Sequence, residues 1–362
     1  MTRRVLFVIP SLRLGGAERV VTLLAKHLPR ERFEVHVALV EAAGEFLAEL
    51  PKEVRVHDLG AGRVRRAVRP LISLVRRLQP DVIVPNLGYL NLAVLGARIA
   101  LPRATRIVLI EHTTLSGEVA GQSFPAVWRA GYRVLYPTAD RIVTCSHAIA
   151  DDLVSRFGVP AAKIRMIPNP IDEARIEAAL GRGASPFHGD GPNVVAVGRL
   201  AHVKGYDRLL DAFALVAPLI PEAELFLVGD GPERAALEAK ARAHGLGPRV
   251  HFAGYQADPF PWMRHASVFV QSSRREGLPV AVLEAAACGA RLVAFDCPGG
   301  TREILSAIPG AQLVPDGDVN GLARAIARAI GPDAPQRARL PEEFRLARVI
   351  ADYGELLENP LG

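Results

Sequence analysis

Short runs of β-branched and other apolar residues alternate with stretches of helical character along this chain, and they do so in two sets. "RVLFVIP" (4–10), "FEVHVALV" (33–40), "DVIVPN" (81–86), "RIVLIEH" (106–112) and "RIVTCS" (141–146) form the first set. "NVVAVGRL" (193–200), "AELFLVGD" (223–230), "RVHFAG" (249–254), "SVFVQSS" (267–273), "RLVAFD" (291–296) and "AQLVP" (311–315) form the second. Several are apolar throughout, as strands covered by helices on both faces must be. Strand–helix alternation of this kind specifies parallel α/β architecture. Residues 167–192 carry Pro and Gly at both ends and no strand signal. The expected organisation is two doubly wound, Rossmann-like domains, 1–167 and 193–340, joined by a linker at 168–192. Residues 341–362 then form a helix packing back toward the first domain. A chain of 362 residues exceeds what one core usually serves, which agrees. Two such domains facing one another leave a cleft at the carboxyl ends of both sheets, where ligands of these sheets bind.

Composition narrows the class. Three cysteines, Cys145, Cys288 and Cys297, are scattered and lack C-x-x-C spacing. This argues against a disulfide framework or a zinc site and fits a reducing compartment. The apolar run Val5 to Pro10 is shorter than a secretory h-region, and Arg13 follows it. In the most membrane-like window, Val82 to Pro102, Pro85, Asn86, Asn91 and Arg98 interrupt any span. A cytoplasmic protein is expected. Residues 1–110 hold 18 Lys/Arg against 9 Asp/Glu, a net of +9, and the chain's +6 leaves −3 for the remainder. Arg63, Arg65, Arg66, Arg69, Arg76 and Arg77 cluster in the basic part. Either they meet an anionic surface, such as a membrane or a phosphorylated acceptor, or they are a solvated helix face. Aromatic residues are not interleaved with them, which disfavours nucleic acid.

Three motifs follow strands and could carry chemistry. In "SLRLGGAERV", Gly15 and Gly16 would let the backbone approach a ligand at a helix N-terminus near Ala17. The bland alternative is a tight strand-to-helix turn, and G-x-G-x-x-G is absent. In "VGRLAHVKGYDRLLDAF", Arg199 and Lys204 suit a diphosphate, unless they are two ordinary surface cations. In "REGLPVAVLEAAACGA", Pro279 suits the first turn of a helix whose N–H groups, around Gly277, Leu278, Pro279 and Val280, form an anion site. Glu276 sits just outside that end and Glu284 between one and two turns inside. Two carboxylates there match vicinal hydroxyls of a sugar or ribose. Otherwise Glu276 is a cap and Glu284 an ion-pair partner.

Taken together, these pieces resemble the retaining glycosyltransferases of family 4, which have the GT-B fold. The resemblance runs from "GGAER" through "GRL…KG", "VGDGPER", "HFAG" and "SSRREGLPVAVLEAAACG" to "PGGTREI". It implies an acceptor-side first domain and a nucleotide-sugar-binding second domain. Glu276 would contact the donor sugar, Glu284 the ribose, and Arg199 with Lys204 the diphosphate, stabilising the leaving group without a metal. The Gly15–Gly16 loop would lie beside the phosphates, and His112, in "LIEHTT", near the donor sugar. UDP is the commonest donor nucleotide of the family. No residue stands out as a nucleophile, so front-side attack is expected rather than a covalent intermediate. "SLRLGGAERV" further resembles bacterial enzymes extending polysaccharides or polyprenyl-linked glycans at the inner membrane face.

Asp316-Gly317-Asp318 looks like a D-x-D metal site but reads as a turn capping a helix near Val319, and Asp151-Asp152 reads the same way. No metal or other cofactor is expected. Two other functions share these motifs: a nucleotide-sugar epimerase, which needs no acceptor site, and a catalytically silent nucleotide-sugar-binding module.

Overall fold

A computed structural model describes residues 2–181, 183–189 and 191–361. Arg182 and Asp190, inside the segment expected to join the domains, lie outside the described residues, as do Met1 and Gly362. The chain divides into two units, one running to Pro170 and resuming at Leu346, the other spanning Ile171–Arg345.

The first unit is built on β1 (Arg3–Ile9), β2 (Phe33–Leu39), β3 (Arg55–Asp58), β4 (Val82–Pro85), β5 (Arg106–Glu111), β6 (Arg141–Thr144) and β7 (Ile164–Met166). They form one sheet in the order β3-β2-β1-β4-β5-β6-β7. Every pairing is parallel, and Val5 of β1 faces Val35 on one side and Val82 on the other. β1 is central, so Val5 to Ile9 are wholly buried and the strand is apolar throughout. The edge strands β3 and β7 were not among the expected runs. Arg55, Val56, Arg165 and Met166 are exposed, and strands so placed need no apolar run. Phe7, Ile9, Val37, Val84 and Val108 pack into a core that also takes Val349, Tyr353 and Leu357 of the helix Leu346–Glu358.

The second unit carries β8 (Asn193–Val197), β9 (Glu224–Val228), β10 (Val250–Gly254), β11 (Val268–Gln271), β12 (Leu292–Asp296) and β13 (Gln312–Pro315). Their order is β10-β9-β8-β11-β12-β13, again all parallel. Val194, Leu225, Val270 and Val293 pack against Leu209, Phe213 and Val216 of the helix Tyr206–Val216 and Leu322 and Ile326 of the helix Val319–Ile330. In each sheet the strand order reverses once, between β1 and β4 and between β8 and β11. Doubly wound sheets bind ligands at such points, so the segments leaving these four strands are where chemistry belongs.

The aspartate pairs separate. Asp318 Oδ1 accepts the Gly321 N–H at 2.8 Å and caps the helix Val319–Ile330, while Asp316 pairs with Arg208 at 2.9 Å. Asp151 and Asp152, expected to cap a helix, instead lie inside His147–Phe157. Ser146 takes the cap, its Oγ accepting the Ile149 N–H at 3.4 Å, because helical geometry begins as soon as the chain leaves β6. Asp152 turns inward and accepts the Ser116 N–H at 3.0 Å.

Candidate active site

The loop leaving β8 reaches the loop leaving β11 through glycine. Gly205 has φ +63°, and a Cβ there would come within 2.1 Å of the Ser272 carbonyl oxygen. That contact lets Ser272 Oγ donate to the Lys204 carbonyl at 3.0 Å. Lys204 Nζ then donates to Glu276 Oε1 at 2.7 Å, and Ser273 Oγ donates to the same oxygen at 2.6 Å. Both donors converge on Oε1, leaving Oε2 for a further partner. Gly299 fixes the backbone from below: its φ is +127°, and a Cβ would stand 1.7 Å from the Glu276 carbonyl oxygen. The Glu276 N–H donates to Pro298 O at 3.1 Å, and the Gly300 N–H donates to Gly277 O at 2.8 Å. Arg208 ties the assembly together, donating to the carbonyls of Ser272 and Ser273 while its guanidinium lies over the Phe295 ring.

The helix Val280–Ala287 begins where Glu276 is held. Pro279 precedes it as the capping residue, one position earlier than the expected first-turn placement, and offers no side-chain cap. The first N–H groups of a helix have no partner within it, so this end presents donors and a positive dipole end. Leu278 is buried, and Glu284 sits four residues into the helix, about 6 Å along the axis, partly exposed. Arg199 is exposed on the β8 loop and forms no ion pair among the described residues. Lys204, Ser273 and Glu276 are thus brought into direct contact; Arg199 and Glu284 lie on the flanking segments. A small pocket is lined by Lys204, Tyr206, Ser273, Glu276, Pro279 and Val282. The larger cavity of this unit, about 960 Å³, lies elsewhere, beside Arg264 and Arg337. Those arginines bond the carbonyls of Cys288, Gly289 and Arg264 at helix ends, a structural task.

At the edge of the first sheet the helix Gly16–His27 starts at Gly16, one residue before the expected Ala17, with Gly15 extended. Nothing lies within 4 Å of a Cβ at Gly16, so the backbone is open to close approach there. Glu18 folds back toward Gly15, and burial raises its pKa. His112 follows β5. Its Nε2 meets Asn86 Oδ1 at 3.2 Å, and Asn86 Nδ2 donates to Val84 O at 3.0 Å. That second bond orients the amide, so Nε2 carries the ring proton and the shielded Nδ1 keeps an unpartnered lone pair. Burial lowers the His112 pKa to about 4. Glu111 beside it is fully buried and accepts from Asn91 Nδ2 at 2.6 Å and from Tyr136 Oη. Burial foremost, with Glu118 and Asp152 adding negative charge, pushes its pKa up to about 8. Sequence reasoning missed Ser273, Gly205, Gly299 and Asn86; the "KG" and "PGG" motifs and the S-x-x-E spacing from Ser273 to Glu276 were the available signals, while Asn86 acts only through a distant partner.

Among the described residues no group of three or more His, Cys, Asp or Glu side chains could hold a metal ion. None of the described helices is long and apolar enough to cross a membrane.

Two parallel α/β units of this kind are the architecture of the GT-B fold. Residues 14–175 match the family described as Glycosyltransferase Family 4, and residues 191–331 match Glycosyl transferases group 1; the chain belongs to this family. A Campylobacter jejuni N-acetylgalactosamine-N,N'-diacetylbacillosaminyl-diphospho-undecaprenol 4-alpha-N-acetylgalactosaminyltransferase is 27% identical over 95% of this chain and 97% of its own length. The 2-deoxystreptamine glucosyltransferase of Streptomyces kanamyceticus is 28% identical over 90% and 88%. Relatives from Methanocaldococcus jannaschii and Arabidopsis thaliana are matched over only 62% and 42% of their own length, so the chain spans less than two thirds of those proteins. The Anabaena protein HepE, solved in complex with UDP and glucose, has the same fold at 23% identity, with a TM-score of 0.78 over 98% of this chain and 99% of that one.

Proposed function

We propose that this glycosyltransferase moves a sugar from a nucleoside diphosphate donor, UDP-linked, to a hydroxyl of a glycan or polyprenyl-diphosphate-linked acceptor, with retention. One observation carries the reading: Lys204 and Glu276 are locked together at the N-terminus of the helix Val280–Ala287, at the strand-order reversal of the second sheet. Positive charge, helix N–H groups and a carboxylate with one uncommitted oxygen are what a phosphate joined to a sugar needs. The UDP complex of the Anabaena relative and the lipid-linked substrate in the name of the Campylobacter relative support the donor and acceptor classes.

Lys204, Arg199 and the N–H groups of Gly277, Leu278 and Val280 receive the charge that grows on the leaving diphosphate, so we read the transfer as metal-independent. Glu276 Oε2 accepts a hydroxyl of the sugar, and Glu284 those of the ribose. Gly15 and Gly16 admit the phosphates beside an open backbone. The acceptor oxygen bonds the anomeric carbon on the face the phosphate leaves, and its proton passes to the departing phosphate oxygen. His112 stays neutral through the physiological range and contributes a hydrogen-bonding or packing surface beside the sugar. We place the enzyme in the cytoplasm, with the exposed Arg63, Arg65, Arg66 and Arg69 of the first unit toward an anionic membrane face.

Turnover of radiolabelled UDP-sugars with a lipid extract tests the reading. Glu276→Ala should lower transfer at least ~100-fold, the scale for losing a key transition-state contact. Near-normal transfer by that variant would reject the role given to Glu276.

A further inference from the structure

The helix Pro125–Leu135 poses a packing problem. Its sequence, PAVWRAGYRVL, is mostly apolar, yet only Tyr132 is buried. Val127 is 70% exposed, Val134 69% and the preceding Phe124 79%. At 3.6 residues per turn, Val127, Ala130 and Val134 lie roughly opposite Tyr132, so they form the outward crest of the helix. Arg129 and Arg133 lie along one side of that crest, and both are exposed. Phe124 is held outward at φ +60°, a left-handed conformation that a bulky residue adopts only at a cost.

The surroundings identify what covers this crest. The helices Val64–Leu78, Gly88–Gly96 and Pro125–Leu135 pack side by side. None of the three contains an Asp or Glu. Arg63, Arg65, Arg66, Arg69, Arg76 and Arg77 are all exposed at the first, and no ion pair neutralises them among the described residues. Ile99, just past the middle helix, is 98% exposed. The next helix along, His147–Phe157, does bring one exposed acid, Asp151.

We propose that this three-helix layer is a membrane-docking platform whose wedge is the helix Pro125–Leu135. Phe124, Val127 and Val134 enter the headgroup–acyl boundary of an anionic bilayer while the arginines hold its phosphates. An apolar crest with flanking cations is the pattern of interfacial helices, and stable attachment needs both signals because either alone is marginal. The inference rests on the membrane part of the proposed function and adds to it the element that inserts.

Sedimentation of the full chain with phosphatidylcholine vesicles, with and without phosphatidylglycerol, tests the platform. Wild type should bind the anionic vesicles. Phe124→Ser/Val127→Ser/Val134→Ser should bind them at least ~10-fold more weakly, because its buried apolar area is gone. Arg63→Ser/Arg65→Ser/Arg66→Ser/Arg69→Ser should lose the preference for anionic lipid. Unchanged melting temperatures and unchanged thermal shifts by UDP would show that the variants fold. Equal binding by wild type and the apolar triple variant would overturn the wedge while leaving a membrane contact. No binding by wild type would remove both, without touching the transfer reading, which Glu276→Ala judges. Dimerisation that the triple variant abolishes would assign the crest to a second copy and overturn the proposal.

Discussion

Two groups of side chains at the ligand edges of the sheets handle charge in opposite ways. At the second sheet, Lys204 and Glu276 remain ionic partners at 2.7 Å, and glycines with positive φ carry the backbone to them. At the end of β5 in the first sheet, away from the exposed Arg13–Glu41 pair, two groups are neutral: the fully buried Glu111 holds its proton up to about pH 8, and the partly buried His112 does without one down to about pH 4. A charged, backbone-braced edge suits a diphosphate, whereas a neutral hydrogen-bonding edge suits hydroxyls. On the proposed function, Lys204 and the helix N-terminus of the second unit carry most of the phosphate binding, and the neutral groups at β5 offer uncharged recognition.

Breaking the brace at the charged edge should have the largest effect. Gly299→Ala places a Cβ against the Glu276 carbonyl, at a φ that L residues rarely adopt. A shift of Pro298 to Gly300 then releases the backbone bonds to Glu276 and Gly277. The expected cost is about 3 kcal/mol or more in urea unfolding, with loss of the UDP thermal shift. Alanine tolerated with full stability and UDP affinity would show that Glu276 does not depend on this loop.

At the neutral edge the expected effect is smaller and depends on pH. The Glu111 pKa is raised on folding, so from pH 4.5 to about 8 the native state keeps a proton that the unfolded state has lost. Its stabilising contribution is therefore complete below that window and declines as pH rises through it. Glu111→Gln preserves the acceptor for Tyr136 and Asn91 and removes the titration. Relative to wild type it should gain roughly 2 kcal/mol between pH 6 and pH 8. A wild-type stability curve parallel to that of Glu111→Gln would mean the carboxyl is ionised in the fold.

How far these features can be read from sequence follows the range of their contacts. β1 and β8 announce themselves because strands buried on both faces must be apolar along their length, and the "KG" and "EGLP" segments follow strands directly. β3 and β7 leave no such trace, being exposed edges. That Lys204 and Glu276 share a bond across 72 positions is a product of the parallel crossover, as is the approach of Gly299 to Glu276. Asn86 looks like one more polar residue after a strand until β4 sets it beside His112. The helix Pro125–Leu135 misleads in the other direction: its apolar composition suggests a packed helix, yet only Tyr132 is buried.

The smallest effect expected concerns His112, and it carries the opposite sign to that of Glu111. Its pKa is lowered on folding, so between about pH 4 and 6.5 the unfolded chain binds a proton that the native ring refuses. The stabilisation is complete above pH 6.5 and is lost as pH falls toward 4. At pH 5.5 the loss is about 1 kcal/mol, and His112→Gln, which cannot titrate, should remove it. Nitrogen NMR of the histidine rings provides the second readout: His112 should show a protonated Nε2 and a bare Nδ1 at neutral pH, set by Asn86. Asn86→Asp places a carboxylate at Nε2, which should raise the His112 pKa and flatten the acid limb of the stability curve. If that curve and the ring signals stay as in wild type, Asn86 does not set the state of His112, and the neutral character of this edge comes from burial alone.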